Sequence, residues 1–297
     1  MKYFFLFFIG PLSLFSLMGG ELTRLDYGKM TPTLISSRLY EESDGTASRI
    51  YEDLVLDSKA GSIRITLSRP KKGKVSSCLF VVAGLETGRK SLQLIPDHGD
   101  NLLISFEYPA VIKNIKKKSV LFYLPSIREA CLRVPSQING VLRYIQEKGY
   151  CDSTPPSMIA VSFGCAFLPA ALHLGQTQDL EYGPTVFGYG GAGIKCVFQA
   201  ITPGPNWFKK MVGLSGAKFF HPLEPELHLP YIHGKFLVVN GTEDRLIPNK
   251  CALNLQRLVP EPKSIINLKT EHLQPDNTEL MIHIINISRS WLETARR

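Results

Sequence analysis

The chain has 297 residues, 44% hydrophobic and 20% charged, with 34 Lys and Arg against 26 Asp and Glu for a formal charge of +8. That composition excludes a disordered or low-complexity chain and suffices for one large core. The densest positive runs, Lys71-Lys72 with Lys74 and Lys113 with Lys116-Lys117-Lys118, are not interleaved with aromatics and belong to no nucleic-acid motif, which argues against nucleic acid as a partner and leaves solvated loops or loose attraction to an anionic membrane.

At the start, Met1-Lys2 precedes an apolar run from Tyr3 to Met18 that Gly10-Pro11 interrupts, too short and broken for a comfortable spanning helix. Gly19-Gly20 supplies small residues for cleavage. Residues 1–20 therefore read as a signal peptide, with retention as an N-terminal anchor the alternative, and the chain is expected in the periplasm, outside the cell or held at the membrane. Residues 21–297 read as one domain. Its first part, 21–49, shows no strong periodicity. Stretches 50–56 and 62–68 alternate across Lys59-Ala60-Gly61 and predict an antiparallel hairpin at the sheet edge.

Residues 78–83 are continuously apolar, as in a strand buried on both faces, and run into Gly84-Leu85-Glu86-Thr87-Gly88. The spacing matches no phosphate-binding loop, so this loop offers backbone N–H donors only. A short helix over 91–95, a strand over 101–106 and an irregular excursion over 110–134 follow. The clearest helix spans 136–148, with Ser136 as its cap and Gly149 at its end. It leads to the strand 157–161 and then to Ser162.

A helix over 163–174 follows, which Pro169 should bend. After a strand over 185–189, residues 194–229 are rich in proline and aromatics, and a cap over a site and a long packed connection fit that pattern equally. Strands over 235–240 and 264–268 flank a helix over 249–258. The last helix, opened by Pro275, puts Leu280, Ile284, Ile287 and Trp291 on one face. Strands alternating with helices after an antiparallel start predict an α/β fold with a mostly parallel sheet.

Six cysteines in an exported chain invite a disulfide framework. Cys78 and Cys165 read instead as buried small hydrophobes, Cys131 and Cys151 flank a predicted helix, and Cys196 and Cys251 lie in later connections, so one bridge is possible and three are not implied. The metal spacing C-x-x-C is absent, so no structural metal is expected.

Three chemical groups stand at the carboxyl ends of predicted strands, where open α/β sheets bind ligands. Ser162 follows one strand within Ala160-Val161-Ser162-Phe163-Gly164, Asp244 the next but one within Gly241-Thr242-Glu243-Asp244, and His272 the last. A serine hydroxyl needs a base to take its proton and the base needs an acid to orient it; six other histidines lack this context, and Glu243 is the neighbouring alternative to Asp244.

With the order serine, acid, histidine, a strand–serine–helix corner and an upstream donor loop, residues 50–295 resemble the α/β-hydrolase superfamily of the serine esterase, lipase and acyl-hydrolase type. The resemblance implies a mostly parallel sheet with antiparallel N-terminal strands and helices on both faces. It implies a carboxylic ester or thioester hydrolase with Ser162 as nucleophile, His272 as base, Asp244 as its orienting acid, and the Leu85 and Phe163 amides as the oxyanion hole. The mechanism needs no cofactor and no metal, and the partner is a small-molecule or lipid ester. Ala160 and Ala83 replace the glycine and histidine common at those positions. A silent scaffold that binds a lipid or a protein, and a serine aminopeptidase-like enzyme, are the alternatives.

Overall fold

The computed structural model describes residues 21–113, 120–151 and 154–296. The leader and the lysines at 116–118 lie outside them. The described residues form one nine-stranded sheet in the order β1-β2-β3-β5-β4-β6-β7-β8-β9. β1 (Thr33–Ser43), β2 (Ser48–Asp57) and β3 (Ile63–Pro70) form an antiparallel meander, and β3 pairs antiparallel with β5 (Asn101–Glu107). From there β4 (Ser77–Val82), β6 (Ser157–Val161), β7 (Thr185–Gly188), β8 (Phe236–Gly241) and β9 (Lys263–Leu268) continue in parallel.

The predicted hairpin is β2–β3, but the edge is β1. Nearly every residue of β1 is exposed, including Leu34, Ile35 and Leu39, so this strand buries no face and has no alternation to read.

The helices are α1 (Ala110–Lys113), α2 (Val120–Glu147), α3 (Leu168–Gln176), α4 (Ile194–Ile201), α5 (Asn206–Phe219), α6 (Pro225–His228), α7 (Asn249–Leu258) and α8 (Thr278–Ala295). The expected irregular excursion over 110–134 is instead mostly helix. The buried positions Ile127, Cys131, Val134, Ile138, Val141 and Ile145 carry one apolar stripe that starts just after Pro125 and runs past Pro135. Burial of that stripe outweighs the backbone bonds the prolines remove. Ser136 consequently lies inside α2 rather than at its cap. Its hydroxyl donates to the Leu25 carbonyl at 2.6 Å and accepts from the Tyr27 amide at 3.2 Å, which ties the first described residues to the helix.

Two bridges form, not one: Cys78–Cys151 joins β4 to the loop after α2, and Cys196–Cys251 joins α4 to α7. Cys78 is therefore a cross-link rather than a free small hydrophobe. Cys165 does remain a buried thiol, as does Cys131. The main core lies on the face covered by α2 and α3, where Phe80, Val82, Ile104, Met158 and Ala160 are fully buried. α8 covers part of the opposite face through Leu280, Ile284 and Leu292, and Ile287 and Trp291 flank that stripe.

Candidate active site

The chain moves from β4 to β5 on one side and returns to β6 on the other, so the crevice between β4 and β6 is the point where strand order reverses. Ser162 stands there. Val161 is extended (φ −130°, ψ 132°), Ser162 turns to φ 53°, and a 3-10 turn over Ser162–Ala166 follows at once. A non-glycine residue in the left-handed region stores about 1–3 kcal/mol, held by packing around it. The packing is tight: a β-carbon on Gly164 would collide with the Val82 carbonyl oxygen, and one on Gly190 would come 2.5 Å from Cys165 Cβ. Ala160, in place of a glycine, is fully buried within the core and keeps ordinary backbone angles, so the elbow closes around a methyl group. Pro169 does not bend the helix. It sits in the first turn of α3, where its missing N–H has no intrahelical partner to lose.

β8 and β9 bring the other two groups. Ser162 Oγ lies 2.8 Å from His272 Nε2, and His272 Nδ1 lies 2.6 Å from Asp244 Oδ2. The second carboxylate oxygen accepts from the Leu246 and Ile247 amides, each at 2.8 Å, which fixes the carboxylate plane. Asp244 is only 6% exposed, while Glu243 beside it faces solvent. With Nδ1–H donated to a carboxylate, Nε2 is left as the acceptor for the serine hydroxyl. The three predicted residues are thus one hydrogen-bonded relay. His98 is spent on Ser68 and the Leu92 carbonyl, and His173 on His228.

Tyr189 is a further residue of the site that its position in the sequence does not single out. It is fully buried at φ 53°, its ring meets the His272 ring edge-on at 5.9 Å, and its hydroxyl pairs with Thr270 Oγ1 at 2.7 Å. Burial pushes its phenol up. The Glu243 amide donates to the Thr270 carbonyl at 3.1 Å, so Tyr189 and Thr270 brace the ends of β7, β8 and β9 under the imidazole. The signal lay in the glycines after Tyr189 and in Thr270 two residues before His272.

A cavity of about 860 Å³ opens at the relay, lined there by Ser162, His272, Gly84, Leu85 and Phe163. A β-carbon on Gly84 would lie 4.0 Å from Ser162 Cβ, so the donor loop rests against the elbow.

Among solved structures, acetyl xylan esterase 1 from Thermoanaerobacterium sp. JW/SL YS485 superposes with a TM-score of 0.61 at 13% identity, over 93% of this chain and 92% of that one. A cold-adapted esterase from an Arctic intertidal metagenomic library gives 0.62 at 12% identity, over 89% of this chain and all of that one. The Pyrococcus horikoshii acylaminoacyl peptidase gives 0.55 at 12% identity, over 92% of this chain and 50% of that one. No protein-family model matches the chain, and no curated protein matches it. Identities this low speak for architecture alone, and with the mixed sheet and the serine corner at its switch point they establish that this chain has the α/β-hydrolase fold.

Proposed function

We propose that the protein is a serine hydrolase that cleaves a carboxylic ester or thioester through an acyl-enzyme on Ser162. The observation that carries this reading is the unbroken relay from Ser162 Oγ through His272 to Asp244, at 2.8 and 2.6 Å. As Ser162 Oγ bonds to the acyl carbon, its proton passes to His272 Nε2. Asp244 stabilises the imidazolium without taking the proton. The leaving alkoxide or thiolate then receives that proton, and water, activated by the same imidazole, releases the acid.

The oxyanion donors are the Leu85 and Phe163 amides. Both residues line the cavity, and Phe163 is the second residue of a 3-10 turn, where amides have no intrahelical acceptor. Residues 194–229 serve as a partial cap: Ile201 reaches the cavity, and the Cys196–Cys251 bridge and the Glu224 carboxylate on the Gly193 and Ile194 amides fix the root of α4. Exposed Ile201, Trp207 and Leu214 near Lys195, Lys209 and Lys210 support peripheral contact with a membrane that presents ester substrate. Two disulfides and the apolar leader support export. The cavity walls along the sheet are largely aliphatic, which supports an apolar acyl group.

Rapid mixing with 4-nitrophenyl acetate tests the reading. We expect a burst of about one nitrophenolate per protein, absent in Ser162→Ala. Equal release by the parent and Ser162→Ala contradicts it.

A further inference from the structure

The sheet is covered unequally on its two faces. On one, Met158 and Ala160 of β6 are completely buried. On the other, Ile159 and Val161 of the same central strand, and Leu79 of β4, keep partial exposure. Central parallel strands are ordinarily covered on both sides. The cause is the connection from β4 to β5, where residues 83–100 supply only the 3-10 turn Gly88–Leu94 and no full helix. This face therefore packs as two separate clusters. One joins Val186, Leu237 and Val239 to Leu280, Ile284 and Leu292 of α8; the other joins Tyr51, Leu92 and Leu103; and Leu79 borders both.

The cavity occupies the gap between the clusters. Its floor is Leu79, Val81, Ile159, Val161 and Val186; Ile285 and Ser288 of α8 form one wall, and Leu94 and Ile95 the other. It begins at Ser162 and His272 and ends among Ser76, Asn101 and Arg296 at the opposite end of the strands. Arg296 reaches Ser77 Oγ at 2.7 Å and Ser157 Oγ at 3.1 Å there, so the far end is polar. The strand register sets the length of the apolar part. Val81 pairs with Ile159 and Leu79 with Ser157, which places Leu79 five residues below Ser162.

We infer that this channel holds a straight, unbranched acyl chain, carried by its carbonyl on Ser162 and running along the sheet beneath α8. Five residues of strand rise about 16 Å, and an extended carbon chain advances about 1.2 Å per bond, so about twelve to fourteen carbons reach the polar end. The inference rests on the serine-hydrolase reading and adds its substrate class, esters or thioesters of medium to long fatty acids. The acyl carbon passes from the alcohol oxygen or thiol sulfur to Ser162 Oγ and then to water, releasing the fatty acid and the protonated leaving group. Each methylene that enters the channel is worth about fourfold in binding. The gain should stop near fourteen carbons.

The test compares two fluorophosphonates, one with an ethyl and one with a dodecyl chain, by rate of labelling at Ser162. The dodecyl probe is expected to label the parent at least tenfold faster. Filling the channel from either wall, by Ile159→Phe or Ser288→Phe, should cut that ratio at least tenfold. Because the parent ratio needs no variant and the two variants lie on different elements, misfolding of one does not remove the test. A ratio near one in the parent, or a high ratio that neither variant lowers, overturns the channel while labelling of Ser162 keeps the hydrolase. If neither probe labels Ser162, both readings fall.

Discussion

Ser162 holds φ 53° only because its surroundings leave no alternative, and Gly164 is the residue that permits the fit. Its missing side chain lets the 3-10 turn press against the backbone of β4. Gly164→Ala forces a methyl group into the Val82 carbonyl, so we expect a loss of about 2 kcal/mol or more in urea unfolding, with lower activity in the folded fraction. A variant as stable and active as the parent would show that the corner can relax. Asp244 is the second test at this scale. Asp244→Asn preserves shape but removes the charge that orients Nδ1–H, and kcat should fall by about 10⁴ with little change in KM. A fall of less than tenfold would mean that His272 is oriented by something else.

At the scale of elements, the parts that bury a patterned face were readable and the parts that do not were hidden. The strands over 78–83, 101–106 and 157–161 announced themselves because both faces of the sheet demand apolar residues there, and helix 249–258 matches α7. β1 exposes both faces and gave no period. Residues 122–126 in the first turns of α2 include no buried position and hold Pro125, so no local pattern marks where the helix starts. The triad was legible because strand ends, chain order and side-chain chemistry agree. Tyr189 is not, because the glycines after it mark only a strand end, and a ring under an imidazole 83 positions later is a long-range contact. Bridge pairing was likewise unreadable, since Cys78 and Cys151 are 73 residues apart. The Cys196–Cys251 bridge closes a 55-residue separation, for which loop-closure entropy gives about 4 kcal/mol. Cys196→Ser with Cys251→Ser should lose a substantial part of that in chemical denaturation; an unchanged midpoint would show that α4 stays seated on α7 without it.

For the molecule as a whole, three histidines whose neutral form burial favours contribute to its response to acid, opposed by Glu224, whose carboxyl burial pushes up. Burial pushes His228 down to about 4, opposed by its bond to the Pro222 carbonyl, and also lowers His98 and His173. The unfolded chain binds these protons near pH 6.5 and the native protein does not. Their contribution is therefore complete above about pH 6.5 and is lost as the pH falls toward 4, at roughly 3 kcal/mol for His228. The melting temperature should drop between pH 7.5 and pH 4.5, less steeply in a folded His228→Gln variant. A flat profile contradicts the assignment. All of this scaffolding serves one hydroxyl at a sheet crevice, and that hydroxyl can be tested chemically. Treatment of the purified protein with a fluorophosphonate, followed by intact-mass and peptide-mass analysis, should show a single adduct on Ser162, blocked by prior denaturation and absent in Ser162→Ala; an unmodified protein, or an adduct that persists in Ser162→Ala, would contradict the account.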